Sequence, residues 1–238
     1  MRRWVGLWTA VCGGFCWAHA AHAQVNTEKY RPAEDGDGVG GGLTVGVGFQ
    51  KGNVDLIDVG VEGGASWNRG DGHLFAVTSG RIAAKRTLSD YAESPDIDLM
   101  DEDARYSNKT LAHLRYNRDL KERLTWEVFT QIQKDSFILL SQRLLGGTGP
   151  RFTLVDGEDG TSFFGVAYMA EYEKLDEESI ARSEPICGTA HRLSTYLNAS
   201  VQLTDSMALT GTAYFQPRFD QFADFRLLGE GGLDVSVA

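Results

Sequence analysis

Residues 192–203 read RLSTYLNASVQL. Leu193, Thr195, Leu197, Ala199, Val201 and Leu203 take every second position, and Arg192, Ser194, Tyr196, Asn198, Ser200 and Gln202 take the others. A helix, with about 3.6 residues per turn, would scatter these two sets around its circumference. A strand sends successive side chains to opposite faces and so separates them cleanly. The stretch is therefore read as a strand with one apolar and one polar face.

The same alternation recurs along the chain. Residues 124–137 set Trp126, Val128, Thr130 and Ile132 against Glu127, Gln131, Gln133 and Asp135. Residues 163–175 set Phe164, Val166, Tyr168, Ala170 and Tyr172 against Gly165, Ala167, Glu171 and Glu173. Residues 207–216 and 225–237 follow suit, and 39–50, 54–67, 73–85, 108–120 and 144–155 complete a set of ten predicted strands. Most are much longer than the roughly five or six residues usual in soluble sheets, and match the roughly 9–11 residues of a tilted strand crossing a bilayer.

The connections alternate in length. Residues 68–72, 121–123, 156–161 and 205–206 form short turns, whereas 86–107 and 176–190 are long. Outer-membrane barrels have short periplasmic turns and longer outer loops. With the long segments outside, the N-terminus is periplasmic, and 51–53, 138–143 and 220–224 also lie outside. Phe49, Trp67, Tyr116, Trp126, Tyr172, Phe215 and Phe225 fall near strand ends on the apolar face, as interfacial girdles would. Ordinary aromatic enrichment in strands is the simpler alternative.

The N-terminus, MRRWVGLWTAVCGGFCWAHAAHAQ, has a basic start, an apolar middle and a small-residue end, the order of a signal peptide. Domain organisation follows: 1–23 a signal peptide for the general secretory pathway, 24–38 a periplasmic segment, 39–238 the barrel domain. Cleavage removes two arginines and two of the three cysteines, taking the net charge from −10 to −12 and leaving Cys187 in a polar loop. Such an acidic chain is a poor ligand for a phosphate backbone, so nucleic acid is excluded as a partner. With 42% apolar residues and 28 aperiodic glycines, it is neither disordered nor collagenous. No mature stretch reaches 18 consecutive apolar residues, which excludes a transmembrane helix.

The fold class expected is all-β: an antiparallel up-and-down transmembrane β-barrel, closed because strand edges cannot stay unpaired in lipid. Its polar face points inward and carries Glu62, Arg81, Arg115, Asp119, Glu127, Glu171, Arg192, Arg226 and Glu230. So narrow a barrel is filled by its side chains, so these charges are read as a paired network that holds it rigid. Gly46, Gly48, Gly60 and Gly64 are expected to leave room for long neighbouring side chains. A narrow selective pore is the alternative use of the same lumen. A soluble, periplasmic, lipocalin-like ligand-binding barrel is the alternative fold, with its apolar face inside.

Two segments carry a family likeness. They are GLTVGVGFQKGNVDLIDVGVEGG, residues 42–64, and AYFQPRFDQFADFRLLGEGGLDVSV, residues 213–237. In order and spacing the chain resembles the YdiY-like salt-induced outer membrane proteins, a domain family of unknown function. The resemblance implies an outer-membrane location, contact with lipid and lipopolysaccharide, insertion by the barrel-assembly machinery, and a structural or envelope-adaptation role. It names no protein partner. That family continues with a further strand pair ending in an aromatic residue. This chain is therefore expected to be ten strands of a twelve-stranded barrel, or else to close with ten.

Catalysis and cofactors find little support. His191 and Ser194 are three apart on a strand and so face opposite ways, and His73 and His113 lack a serine–acid set in sequence. No enzyme is expected, a lipid hydrolase being the residual reading, and no cofactor is called for. Asp96, Asp98, Asp101 and Asp103 crowd one loop, where a divalent cation could bridge to lipopolysaccharide. Their spacing lacks the central glycine and closing glutamate of an EF-hand, so a solvated acidic loop is the simpler reading.

Overall fold

The computed structural model describes residues 37–52, 54–87, 105–157, 159–176, 186–204 and 206–236. The expected signal peptide, nearly all of 24–38, and the acidic loop with Asp96, Asp98, Asp101 and Asp103 lie outside the described residues. Ten strands run in chain order: β1 (Gly38–Gln50), β2 (Val54–Arg69), β3 (Gly72–Thr87), β4 (Arg105–Lys121), β5 (Leu124–Asp135), β6 (Leu140–Gly157), β7 (Gly160–Leu175), β8 (Cys187–Thr204), β9 (Met207–Pro217) and β10 (Phe225–Val235). They form one sheet in which every neighbouring pair is antiparallel and every strand pairs with the next in sequence. The fold is thus all-β and up-and-down. β1 and β10 are the two ends of the sheet order, and no register among the described residues joins them.

The alternating pattern predicts the strands well and their ends less well. β6 starts at Leu140, so most of the loop expected over 138–143 is strand. β8 starts at Cys187, which makes that exposed thiol the first residue of a strand rather than part of a polar loop. The strand expected over 124–137 stops at Asp135 because the Asp135 side chain caps a short 3-10 turn, Ser136–Ile138, accepting from Phe137 N–H at 3.1 Å. Leu139 then turns the chain back with a φ of 57°.

The sheet curls strongly. Neighbouring strands lie about 4.8 Å apart, so β4 and β8 would be about 19 Å apart in a flat sheet. Yet the Arg115 guanidinium on β4 lies 5.9 Å from the Tyr196 ring on β8, and the Tyr196 hydroxyl reaches Glu127 on β5 at 2.8 Å. One face is therefore an interior shared by β4 to β10. Two glycines permit it. A Cβ on Gly165 would lie 2.1 Å from the Tyr196 ring, and one on Gly147 would lie 2.4 Å from the Phe129 ring. Both positions must stay bare for the rings to lie over the neighbouring strand.

Polarity is distributed inside out. The buried side chains include Arg115, Glu127, Gln131, Gln133, Arg143, Arg151, Glu171 and Arg192. On the outer face, Leu43, Leu114, Trp126, Val128, Ile132, Leu144, Phe152, Tyr168, Leu197, Leu209, Phe215 and Leu227 are exposed. A soluble protein buries the second kind of residue and exposes the first.

Candidate functional site

Charged side chains reach the interior because inward positions repeat every second residue, and paired registers carry that parity from strand to strand. Thus Phe75 faces Arg115, Arg115 faces Phe129, and Asn117 faces Glu127, all on the inner side. The result is two ion clusters stacked along the interior.

The first is built on Glu127 of β5. Arg115 Nη1 and Arg151 Nε approach its Oε1 at 3.7 and 3.8 Å, and Tyr196 donates to Oε2. All three charged side chains are almost wholly buried. The Arg115 guanidinium also lies 5.5–5.9 Å from the Phe75, Phe129 and Tyr196 ring centroids. The negative faces of those rings lower the cost of burying its charge. Towards the short-turn end, Arg151 donates to Thr125 Oγ1 at 3.3 Å. Thr125 donates to Asp119 Oδ1 at 2.6 Å, and His73 Nε2 lies 3.1 Å from Asp119 Oδ2.

The second cluster is built on Glu171 and Glu173 of β7, nearer the loop end. Glu171 meets Arg192 Nε at 3.6 Å, Arg143 Nε at 3.9 Å and Arg226 Nη1 in a close hydrogen bond. Glu173 meets Arg143 Nη2 at 3.2 Å and Arg226 Nη2 at 2.8 Å. Arg226 thereby ties β10 to β7 across two intervening strands. Arg192 extends the cluster to Asp224 Oδ1 at 3.2 Å, and Asp224 also holds Arg218 at 3.3 Å. Arg218 grips Asp220 at 2.6 Å. That hydrogen bond, in the connection after β9, holds the Asp220 carboxyl below its ordinary range and raises the Arg218 guanidinium.

Of the inward charges expected from sequence, Arg115, Glu127, Glu171, Arg192 and Arg226 come together in these clusters, with Asp119 at the rim. Arg81 lies apart, largely exposed, in a pair with Asp58 at 2.6 Å. Glu62 and Glu230 are exposed on β2 and β10. Arg143, Arg151 and Glu173 were missing from the expected set. Their inward parity was the available signal, obscured for Arg143 by the misplaced start of β6. The glycine expectation needs correction too. A Cβ on Gly46 would meet nothing within 4 Å, and those on Gly48, Gly60 and Gly64 would meet only Asp58 or backbone at 3.6–3.9 Å. No long side chain fills that space; the glycines whose Cβ would collide with a ring are Gly147 and Gly165.

His191 and Ser194 do face opposite ways. His191 is exposed and accepts or donates at Nδ1 to the Tyr168 hydroxyl at 2.6 Å, while Ser194 is buried and accepts from Gln216 at 2.9 Å. Among the described residues, no three His, Cys, Asp or Glu side chains are grouped to hold a metal.

Space inside is divided. A cavity of about 280 Å³ opens at the loop end beside Glu173, Arg218 and Asp224. Another of about 500 Å³ opens at the turn end beside Asp119, Lys121 and Asp156. Between them lies a cavity of only about 40 Å³. The arrangement can brace the curled sheet through paired charges across β4 to β10, whereas a further cavity of about 420 Å³ opens over β1 to β4 beside Thr44, Gly46, Glu62 and Arg81.

Comparison with curated proteins and with solved structures finds no match. The family model described as "Protein of unknown function, DUF481" matches residues 43–238, and the chain belongs to that family.

Proposed function

We propose that this chain is an outer-membrane β-barrel with a structural, envelope-adaptation role and no catalytic activity. One observation carries the reading: the concave face buries charged and polar residues, beside a few apolar ones such as Phe75, Leu111 and Met169, while large apolar residues cover the convex one. In water that surface would drive aggregation. In a bilayer it is the surface lipid requires, and the paired charges inside are shielded from the hydrocarbon. A lipocalin-like ligand barrel needs the opposite arrangement.

Aromatics support the same placement. Trp67, Trp126, Phe152 and Phe164 are exposed towards the turn end, and Phe49, Phe137, Tyr172 and Phe225 towards the loop end. Membrane barrels carry such rings at both interfaces. Contacts with lipid and lipopolysaccharide on the outer face, and insertion by the barrel-assembly machinery, follow from this reading. The induction by salt rests on the family resemblance alone.

The test is fractionation of the full-length protein expressed in a Gram-negative cell. It is expected in the outer-membrane fraction, migrating faster in SDS gels before boiling than after. Recovery as a detergent-free periplasmic monomer would refute the reading. Planar-bilayer recording separates this reading from the pore alternative: reproducible unitary currents would support the pore.

A further inference from the structure

The small central cavity lies between the two ion clusters and is lined by seven strands, β4 to β10. Its charged lining groups are Arg115, Arg143 and Arg226, with no carboxylate among the lining residues. Glu127 and Glu171, which pair with these arginines, sit outside the lining. Ser194 also lines the cavity. It accepts from Gln216, so its own hydroxyl hydrogen remains available to donate inward. These guanidiniums are held by carboxylates outside the lining, and towards the cavity itself they meet only neutral groups, so their desolvation is offset from one side.

We propose that this cavity binds one small monovalent inorganic anion of halide size. The lining selects the charge: three guanidiniums and the Ser194 hydroxyl repel a metal ion and attract an anion. Size selects the class, because about 40 Å³ holds a few waters or one small anion and excludes organic acids. The anion would bridge the Glu127 and Glu171 clusters, joining β4 to β6 and β10 at mid-height. The site depends on the interior alone and not on where the protein resides, so it and the outer-membrane reading can fail separately.

The experiment uses the folded full-length protein in sodium gluconate, whose anion is too large for the cavity. Sodium bromide replaces gluconate at constant ionic strength while thermal unfolding is followed. A ligand that binds only the folded state raises the melting temperature with the logarithm of its concentration once that exceeds Kd. A rise of several degrees is expected, and a smaller rise in Ser194→Ala, a mild change that keeps the arginines in place. Anomalous scattering from bromide-containing crystals gives a readout needing no variant: a peak within hydrogen-bonding reach of Arg115, Arg143 or Arg226 is expected. Identical melting in bromide and gluconate would overturn the proposal, as would saturating bromide with no peak in the cavity.

Discussion

Gly165 is bare because the Tyr196 ring occupies the place its Cβ would take. Adding a methyl group there pushes Tyr196 away from Glu127 and breaks the link between β8 and β5. Gly165→Ala is expected to destabilise the fold by about 1–3 kcal/mol, the usual range for overpacking, read as a lower urea midpoint. Sequence alone could not single out this glycine. Which glycine is covered depends on a ring reaching over from the neighbouring strand, and that reach exists only once the sheet has curled. Parity was legible on β8: His191 and Ser194 fall on opposite faces because their spacing is odd.

At the rim, the Arg218 hydrogen bond holds the Asp220 carboxyl below its ordinary value of 3.8. A carboxyl whose folded pKa is depressed contributes stability above the unfolded pKa and loses it as pH falls through the folded one. The tie between Arg218 and Asp220 should thus be complete at neutral pH, start to weaken only below about 3.8, and be lost as pH falls through the lower folded value. Carbon-13 NMR of the Asp220 carboxyl is expected to show a midpoint below 3.8. A midpoint at or above that value would mean the pair does not form in solution.

Among the elements, β7 ties three other strands together, because Glu171 serves Arg143 of β6, Arg192 of β8 and Arg226 of β10. Glu171→Gln leaves those three buried cations short of one carboxylate. Breaking a buried pair from one side costs about 3–5 kcal/mol, and a loss of at least that order is expected in urea unfolding. Arg81→Ala removes a largely exposed partner of Asp58 and is expected to cost about 0–1 kcal/mol. Equal losses for the two variants would contradict the description of the interior as desolvated. The sequence indicated β7 clearly, through alternation of Phe164, Val166 and Tyr168 with Gly165, Ala167 and Glu171. It did not indicate the start of β6, where Leu140, Ser141 and Gln142 carry no clear alternation.

The end strands pose a separate question. β1 is exposed along its whole length, and β10 along most of it. In lipid an unpaired backbone group costs several kcal/mol, so membrane residence requires both edges to be paired. Amide exchange in lipid vesicles is therefore expected to be as slow in β1 and β10 as in β5. Fast exchange confined to the two edges would show a sheet left open to water.

For the whole molecule, the central claim is that the apolar convex surface faces lipid. Long alternating strands and their antiparallel order were readable from residues such as 192–203. The curl, the two-cluster interior and its small central cavity were not, because they arise from contacts across three or four strands. Two tryptophans, Trp67 and Trp126, lie beyond residue 23, both on the convex face and each just over 40% exposed. They report directly on what that surface touches. The most direct measurement is tryptophan fluorescence of the chain from residue 24 onward, folded into vesicles of brominated phospholipid and challenged separately with aqueous iodide. Strong quenching by bromines near the headgroup, with little quenching by iodide, is expected. Strong iodide quenching with no response to brominated lipid would contradict the claim.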